Sequence, residues 1–397
     1  MQLSLPRQAS QPLRVCRIAT IPFFLLHHLG TQIRATAEAG HDVLLVSSPG
    51  PEWAALRSMP GVRAVELPIA RVISPLSDLR ALFALWRLLR RERVDIVHST
   101  TPKAGLLSAI AGLLAGVPVR LHTFTGQAWV ELEGWRRRVA VAADRLIVAL
   151  NTRCYADSAS QREFMEAQGV APPGAVMVLG AGSLAGVDPN VFDRERNAEA
   201  GRATRARLGI GAQDKVIVFV GRVTRDKGIV ELVQAFQRLS GRMAGVHLVL
   251  VGPEEPERDP LPEATREAVA REPGIHAVGY ESDPEHYLAS ADLICLPSYR
   301  EGFGNVVIEA AAMGLPAVGT RIPGLRDAIV EGVTGVLVPA KDPVALERAL
   351  ADLLLDDALR QAMGAAAQER ALREFDSRVV NARVLAEYAT LAGWRSG

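Results

Sequence analysis

The chain has 397 residues, 49% of them hydrophobic and 22% charged, with a formal net charge of +1. That length exceeds what one core usually holds, so two domains are expected, and the near-neutral balance, with no aromatic-interleaved basic motif, points away from nucleic acid. The 3 cysteines, Cys16, Cys154 and Cys295, stand too far apart for a zinc pattern or a disulfide framework, so a reducing cytosol is the simplest home.

Residues 1–14 read as a polar lead-in, and Ile21 to Leu26 is too brief for the apolar region of a signal peptide. Short β-rich runs near 15–20, 43–48, 62–67, 94–99, 117–124 and 153–157 alternate with helical patterns over 30–39, 76–92 and 103–115. This is the βαβ organisation of a parallel sheet. The longest apolar stretch, Ala104 to Val119, carries Ser108 and Pro118 and is shorter than the ~20 residues a membrane span needs. Asp193 to Arg207 turns polar and strongly charged, and reads as the junction between a first domain of residues 1–192 and a second of 193–375. A second alternating series runs from Val216 to Pro339, and helical patterns after Pro343 close the chain.

Two strand-end motifs carry the chemistry. Val216 to Gly221 is a buried-strand run followed by Arg222, Arg225 and Lys227, three cations ahead of the helical pattern beginning at Ile229. A helix N-terminus disfavours positive charge, so an anion such as a diphosphate is expected among them, the alternative being a solvated basic loop. The spacing is not that of a Walker A loop, and no GxGxxG follows the first strand. The second motif, Glu301 to Glu309, follows the apolar run Asp292 to Ser298. Gly302 and Gly304 let the backbone N–H groups approach a bound oxygen, and Asn305 is positioned to cap the next helix. That helix is apolar all round except for Glu309. A buried carboxylate needs a partner, which either a ribose diol or an internal Arg or backbone group would supply. Glu301 by itself reads as an exposed loop acid.

Taken in order, Gly221-Arg222, Lys227-Gly228 and Glu301-x7-Glu309 resemble the retaining GT-B glycosyltransferases of family 4. Weaker fragments extend the resemblance through most of the chain: Gly40 to Val43, Gly186 to Asp188, and Ile322 to Asp327. The resemblance implies an α/β fold of two Rossmann-like parallel-sheet domains facing across a cleft, with the acceptor on the first, the donor on the second, and residues 376–397 returning to the first. It implies a nucleotide-sugar donor, with a UDP-sugar expected, a glycan acceptor in bacterial cell-surface polysaccharide synthesis, and retention of configuration without a cofactor or metal. Arg222 and Lys227 would hold the diphosphate and stabilise its departure, and Glu309 the ribose. Glu301 and the backbone of Gly302, Phe303, Gly304, Asn305 and Val306 would hold the transferred sugar, with Glu301, Arg222 and Lys227 closest to the chemistry. The same fold also hosts nucleotide-sugar epimerases and sugar phosphorylases, and a glycosidase could use paired carboxylates, although it would leave Arg222 and Lys227 without an anion.

The acceptor side is thinner. Many family members place a histidine after the strand at 117–124, just before a glycine; here Thr125 fills that slot, followed by Gln127. His98 and Lys103, at another strand end, are the remaining candidates, Lys103 for an acceptor phosphate, whereas His122 reads as structural. Gly30 stands where relatives carry a glycine-rich loop and would admit the donor, while His27 and His28 lack a third ligand at metal spacing. Helix 76–92, with Leu79, Phe83, Trp86 and Leu89 beside Arg80, Arg87, Arg90, Arg91 and Arg93, and Trp135 with Arg136 to Arg138, suit peripheral contact with an anionic membrane at its cytoplasmic face. A lipid-diphosphate-linked glycan acceptor would fit that location, and a sheet-covering helix with a solvated basic face is the alternative.

Overall fold

The computed structural model describes residues 12–70, 74–257 and 259–393. It divides into two compact units, one holding the chain up to Ala185 together with the residues from Ser377 onward, the other Gly186–Asp376.

In the first unit the described residues form seven parallel strands, β1 (Arg14–Ile18), β2 (Asp42–Ser47), β3 (Val62–Glu66), β4 (Ile96–Thr100), β5 (Val119–Phe124), β6 (Arg153–Ala156) and β7 (Val176–Val178), ordered β3-β2-β1-β4-β5-β6-β7. All five residues of β4 are buried, as are four of five in β1, because helices cover both faces of the sheet. The crossovers carry α1 (Gly30–Glu38), α2 (Trp53–Arg57), α3 (Pro75–Glu92), α4 (Pro102–Ala115), α5 (Gly134–Leu150) and α6 (Ala159–Ala167). The three-residue β7 has too little periodicity to be read from sequence.

The second unit repeats the plan with β8 (Lys215–Val220), β9 (Val246–Val251), β10 (Ile275–Gly279), β11 (Leu293–Leu296), β12 (Ala317–Thr320) and β13 (Gly335–Val338), ordered β10-β9-β8-β11-β12-β13. Its helices are α7 (Ala198–Arg207), α8 (Ile229–Ser240), α9 (Glu263–Arg271), α10 (Pro284–Ser290), α11 (Asn305–Ala312), α12 (Leu325–Ala328), α13 (Pro343–Leu355) and α14 (Asp357–Glu374). The last helix, α15 (Ser377–Gly393), lies on the first sheet, where Val384, Tyr388 and Leu391 join Val15, Ile96 and Leu121 in one core.

The division of the chain falls at Ala185/Gly186 rather than at 192/193. Asp193 to Arg207 is not a free linker, because it holds α7 and part of its charge is spent on internal bonds. Arg205 pairs with Asp292 at 3.0 Å and donates to the Ser290 carbonyl at 2.8 Å, and Arg194 donates to the Ala291 carbonyl at 3.1 Å. Arg205 docks α7 against the end of α10, Arg194 ties the preceding turn to the same place, and Gly201 packs directly on Ala289, so a polar composition here belongs to a packed helix.

In each sheet the order of strands reverses beside the first strand, at β1/β4 and at β8/β11. In open parallel sheets that switch point leaves a crevice at the carboxyl ends of the strands where ligands bind.

Candidate functional site

Both strand-end motifs of the second unit meet at its switch point. β8 and β11 are paired neighbours, with Leu293 opposite Ile217 and Ile294 opposite Val218, so the loops leaving them emerge side by side. The Tyr299 amide donates to the Asp226 carbonyl at 2.9 Å, tying one loop to the other. Gly228 makes that approach sterically feasible: its φ is +72°, and a Cβ there would stand 2.1 Å from the Pro297 carbonyl oxygen. Gly228→Ala is therefore expected to destabilise the protein by at least about 2 kcal/mol, from left-handed strain together with the clash, as read from the urea midpoint.

Contact between the loops joins the two motifs. Lys227 Nζ lies 2.6 Å from Glu301 Oε1, which also accepts from Ser298 Oγ at 2.7 Å. Glu301 is thus a half-buried, paired carboxylate rather than the exposed loop acid its neighbours in sequence imply. Arg222 pairs with Glu255 at 2.7 Å and with Asp226 at 3.3 Å, and Arg300 reaches Asp226 at 2.9 Å. Burial works to raise the Asp226 carboxyl, but the Thr224 hydrogen bond and the charges of Arg222, Arg300 and Lys227 outweigh it and hold the group below the usual carboxylate range. Two of the three cations, Arg222 and Lys227, are therefore paired with protein carboxylates, so their placement does not by itself require an external anion. Arg225 is exposed.

Glu309 behaves differently. It sits on α11 among Val307, Ile308, Ala310 and Ala311, which are buried, and is itself half-buried. Among the described residues no group forms a hydrogen bond or ion pair with its carboxylate. Desolvation, then the charge of Glu285, pushes that carboxyl up to about 7. An internal Arg or backbone partner, one of the two readings open from sequence, is not found among the described residues. Asn305 does not cap the helix: α11 begins at Asn305 itself, with Gly304 at the cap position in the left-handed region at φ +89°. Gly302, Phe303 and Gly304 are buried, and Asn305 and Val306 half-buried. The Phe303 ring packs on Phe375 at 5.1 Å between centroids, so its side chain belongs to the core and only its backbone faces the loop.

The candidates of the first unit scatter. His98 is 2% exposed, and both ring nitrogens are engaged inside the core: Nδ1 with Arg17 at 2.6 Å and Tyr388 at 2.7 Å, Nε2 with Thr123 Oγ1 at 2.8 Å. Desolvation, then the charges of Arg17 and His122, hold it neutral far below the usual histidine range. It is a structural residue linking β1, β4, β5 and α15. His122, also buried, bonds Ser99 Oγ at 2.9 Å, and burial lowers it to about 3. Lys103 forms an ion pair with Asp78 of α3 at 2.6 Å. Gly30 is buried at the start of α1, where an added Cβ would meet Arg34 and Met59 only at 3.8 and 3.9 Å, so nothing in this unit requires glycine there. Thr125 is half-buried just past β5, and Gln127 is 4% exposed at the start of the turn that follows.

Sequence reasoning passed over Asp226, Glu255, Ser298 and Arg300. Asp226 was within reach as the i,i+4 partner of Arg222, whereas Glu255 and Arg300 arrive from other loops. It also passed over Asp157, just past β6, which is 6% exposed, whose Oδ1 has no hydrogen-bond partner among the described residues, and whose carboxyl burial pushes up to about 8.

Comparison with known proteins identifies the family and the fold. Residues 202–370 match the family described as glycosyl transferases group 1, and residues 27–182 the glycosyl transferase 4-like domain. The capsular polysaccharide biosynthesis glycosyltransferase CapM of Staphylococcus aureus is 30% identical over 349 residues, 88% of this chain and 90% of that protein. The D-inositol 3-phosphate glycosyltransferase of Corynebacterium diphtheriae is 37% identical over 207 residues, 51% of this chain and 47% of that protein. Among solved structures, Anabaena Alr3699/HepE in complex with UDP and glucose superposes with a TM-score of 0.80 at 19% identity, covering 95% of this chain and 99% of that one. Sucrose-phosphate synthase of Thermosynechococcus elongatus gives 0.80 at 22%, covering 96% and 99%. At such identities the structural likeness speaks for the fold, which is GT-B, and the sequence relatives speak for the family. The chain belongs to the glycosyl transferases group 1 family, the GT-B glycosyltransferases of family 4, and is a hexosyltransferase-type glycosyltransferase.

Proposed function

We propose that the enzyme transfers a sugar, with retention, from a UDP-sugar to a lipid-diphosphate-linked glycan in the synthesis of a bacterial surface polysaccharide, working at the cytoplasmic face of the membrane. The observation that carries the donor half is Glu309, an acid with no protein partner among the described residues, on the helix that follows a loop whose acid is already paired to Lys227. A ribose diol supplies two hydroxyl donors to Glu309, and a diphosphate competes with Glu301, Glu255 and Asp226 for Lys227 and Arg222. The capsular polysaccharide role in the name of the Staphylococcus relative and the UDP in the HepE complex support the substrate classes.

In the proposed reaction the bond from the anomeric carbon to the diphosphate oxygen breaks and one from that carbon to the acceptor oxygen forms on the same face. The hydroxyl proton passes to the leaving phosphate. Lys227 and Arg222 stabilise the charge that develops there, so no metal ion is needed for that purpose, and unchanged turnover in EDTA checks this. The epimerase and phosphorylase alternatives are not favoured, since the two relatives named above are glycosyltransferases.

A panel of nucleotide sugars screened by thermal shift identifies the donor, since a ligand at 100 times its Kd adds roughly 2.7 kcal/mol. Release of UDP that depends on added acceptor, and a product anomeric proton of the same configuration as the donor, are the expected results. UDP release independent of acceptor, or an inverted product, would overturn the proposal.

A further inference from the structure

The outward face of α3 has a composition that covering a sheet does not explain. Its inner stripe, Ala81, Leu85 and Leu89, is buried in the core beneath β1, β2 and β4. On the opposite side, at about 100° per residue, stand Leu76, Leu79 and Phe83, which are 74%, 64% and 59% exposed. The helix therefore has two apolar stripes and buries one. Trp86, grouped in the sequence with Leu79 and Phe83, is partly buried against the inner core.

The charges on the helix are sorted in the same way. Arg80, Arg87 and Arg90 are exposed and project beside the outer apolar stripe. The two acids of α3 point away from it and are occupied: Asp78 pairs with Lys103 at 2.6 Å and Glu92 with Arg63 at 2.7 Å. The outer face is thus made of large apolar side chains and arginines, with no carboxylate. A second copy of the chain is a poor occupant, since an isologous contact would set arginine against arginine with no acid to pair. A surface rich in phosphate over an apolar layer complements it. α3 also begins at the carboxyl edge of the first sheet, the edge from which the loops after β4, β5 and β6 emerge.

We propose that the outward face of α3 docks on an anionic lipid bilayer, with Leu76, Leu79 and Phe83 entering the interface and Arg80, Arg87 and Arg90 meeting the headgroup phosphates. The proposal deepens the lipid-linked acceptor reading and rests on it for its biological sense, although the surface can be tested without any acceptor.

The full chain is sedimented with vesicles of phosphatidylcholine alone and with vesicles containing roughly a third phosphatidylglycerol, at low and at high salt. The expected result is partition to the anionic vesicles at least about tenfold above the neutral ones, falling as salt rises. A Leu79→Ser, Phe83→Ser double variant is expected to lose about tenfold or more of that partition with its melting temperature unchanged, because both side chains are already exposed. Arg80→Ala with Arg87→Ala is expected to weaken the partition and its salt dependence. Wild-type protein that stays with the supernatant, or a double variant that binds as tightly, overturns the proposal. So does a dimer in solution that the same double variant dissociates, since the face would then belong to a second copy. An enzyme that binds these vesicles but does not glycosylate a lipid-diphosphate saccharide leaves the docking surface standing and removes the acceptor reading alone.

Discussion

Replacing Lys227 with alanine is expected to lower kcat by about 100- to 1000-fold while changing the Kd for the donor much less, because its cation matters most where negative charge grows on the leaving diphosphate. Lys227 lies 2.6 Å from Glu301, with 17% and 13% of the two side chains exposed, so each group neutralises the other. Donor phosphate that takes over Lys227 frees Glu301 Oε1, held also by Ser298, for a hydroxyl of the transferred sugar. Loss of the lysine thus leaves a half-buried acid with one hydroxyl donor. Discounted for its partial exposure, that is expected to lower stability by about 1–2 kcal/mol, far less than the loss of turnover requires. Acceptor-dependent UDP release, measured beside a urea melt, separates the two effects. A kcat within a factor of a few of wild type would remove Lys227 from the chemistry. Arg222→Lys is expected to be poorly tolerated, since the guanidinium meets Glu255 and Asp226 through different nitrogens, and a single ammonium cannot reproduce that fork.

Glu309→Ala is expected to weaken UDP binding by about 10- to 100-fold, the range for hydrogen bonds to a charged group, with a smaller change in kcat for saturated enzyme. The variant should also cease to distinguish UDP from its 2′,3′-dideoxy analogue in calorimetric titration. Retained discrimination would sink the ribose assignment. The carboxyl adds a pH signature. Its ordinary value is near 4.5 and its value in the fold about 7, so between those limits the folded state binds more protons than the unfolded one. Stability is then greatest below that window and falls as pH rises through it, a decline that Glu309→Gln removes. UDP affinity should move the other way, strengthening in the wild type as pH rises through about 7 and the acceptor carboxylate ionises. Comparison with Glu309→Gln subtracts the titration of UDP itself.

Much of this protein is legible in its amino-acid sequence. Apolar runs of four to eight residues followed by helical periodicity are the signature of strands buried on both faces, and β1 to β6 lie close to where that alternation puts them. Glu309 stands out because a lone acid on an apolar helix is costly whatever surrounds it. The junction fails for the opposite reason: Asp193 to Arg207 is polar, and polarity alone does not separate a solvated linker from a helix docked through Arg205 and Asp292.

What the sequence by itself determined is the set of local facts: two series of βα units, a basic loop after one strand, an acidic turn after another, and a helix with a single charge. These depend on residues within a few positions of each other. Only the tertiary structure decided which charges meet. Glu301 lies 74 residues from Lys227, and Arg222 lies 33 from Glu255, so neither pairing leaves a periodic trace. His98 is claimed by Arg17 and Tyr388 through strand pairing and the return of α15 to the first sheet. Leu76, Leu79 and Phe83 are exposed because the other stripe of α3 is the one that fits the sheet. An ion pair, a satisfied histidine and an uncovered apolar face are properties of what packs beside a residue, and long-range contact settles each of them.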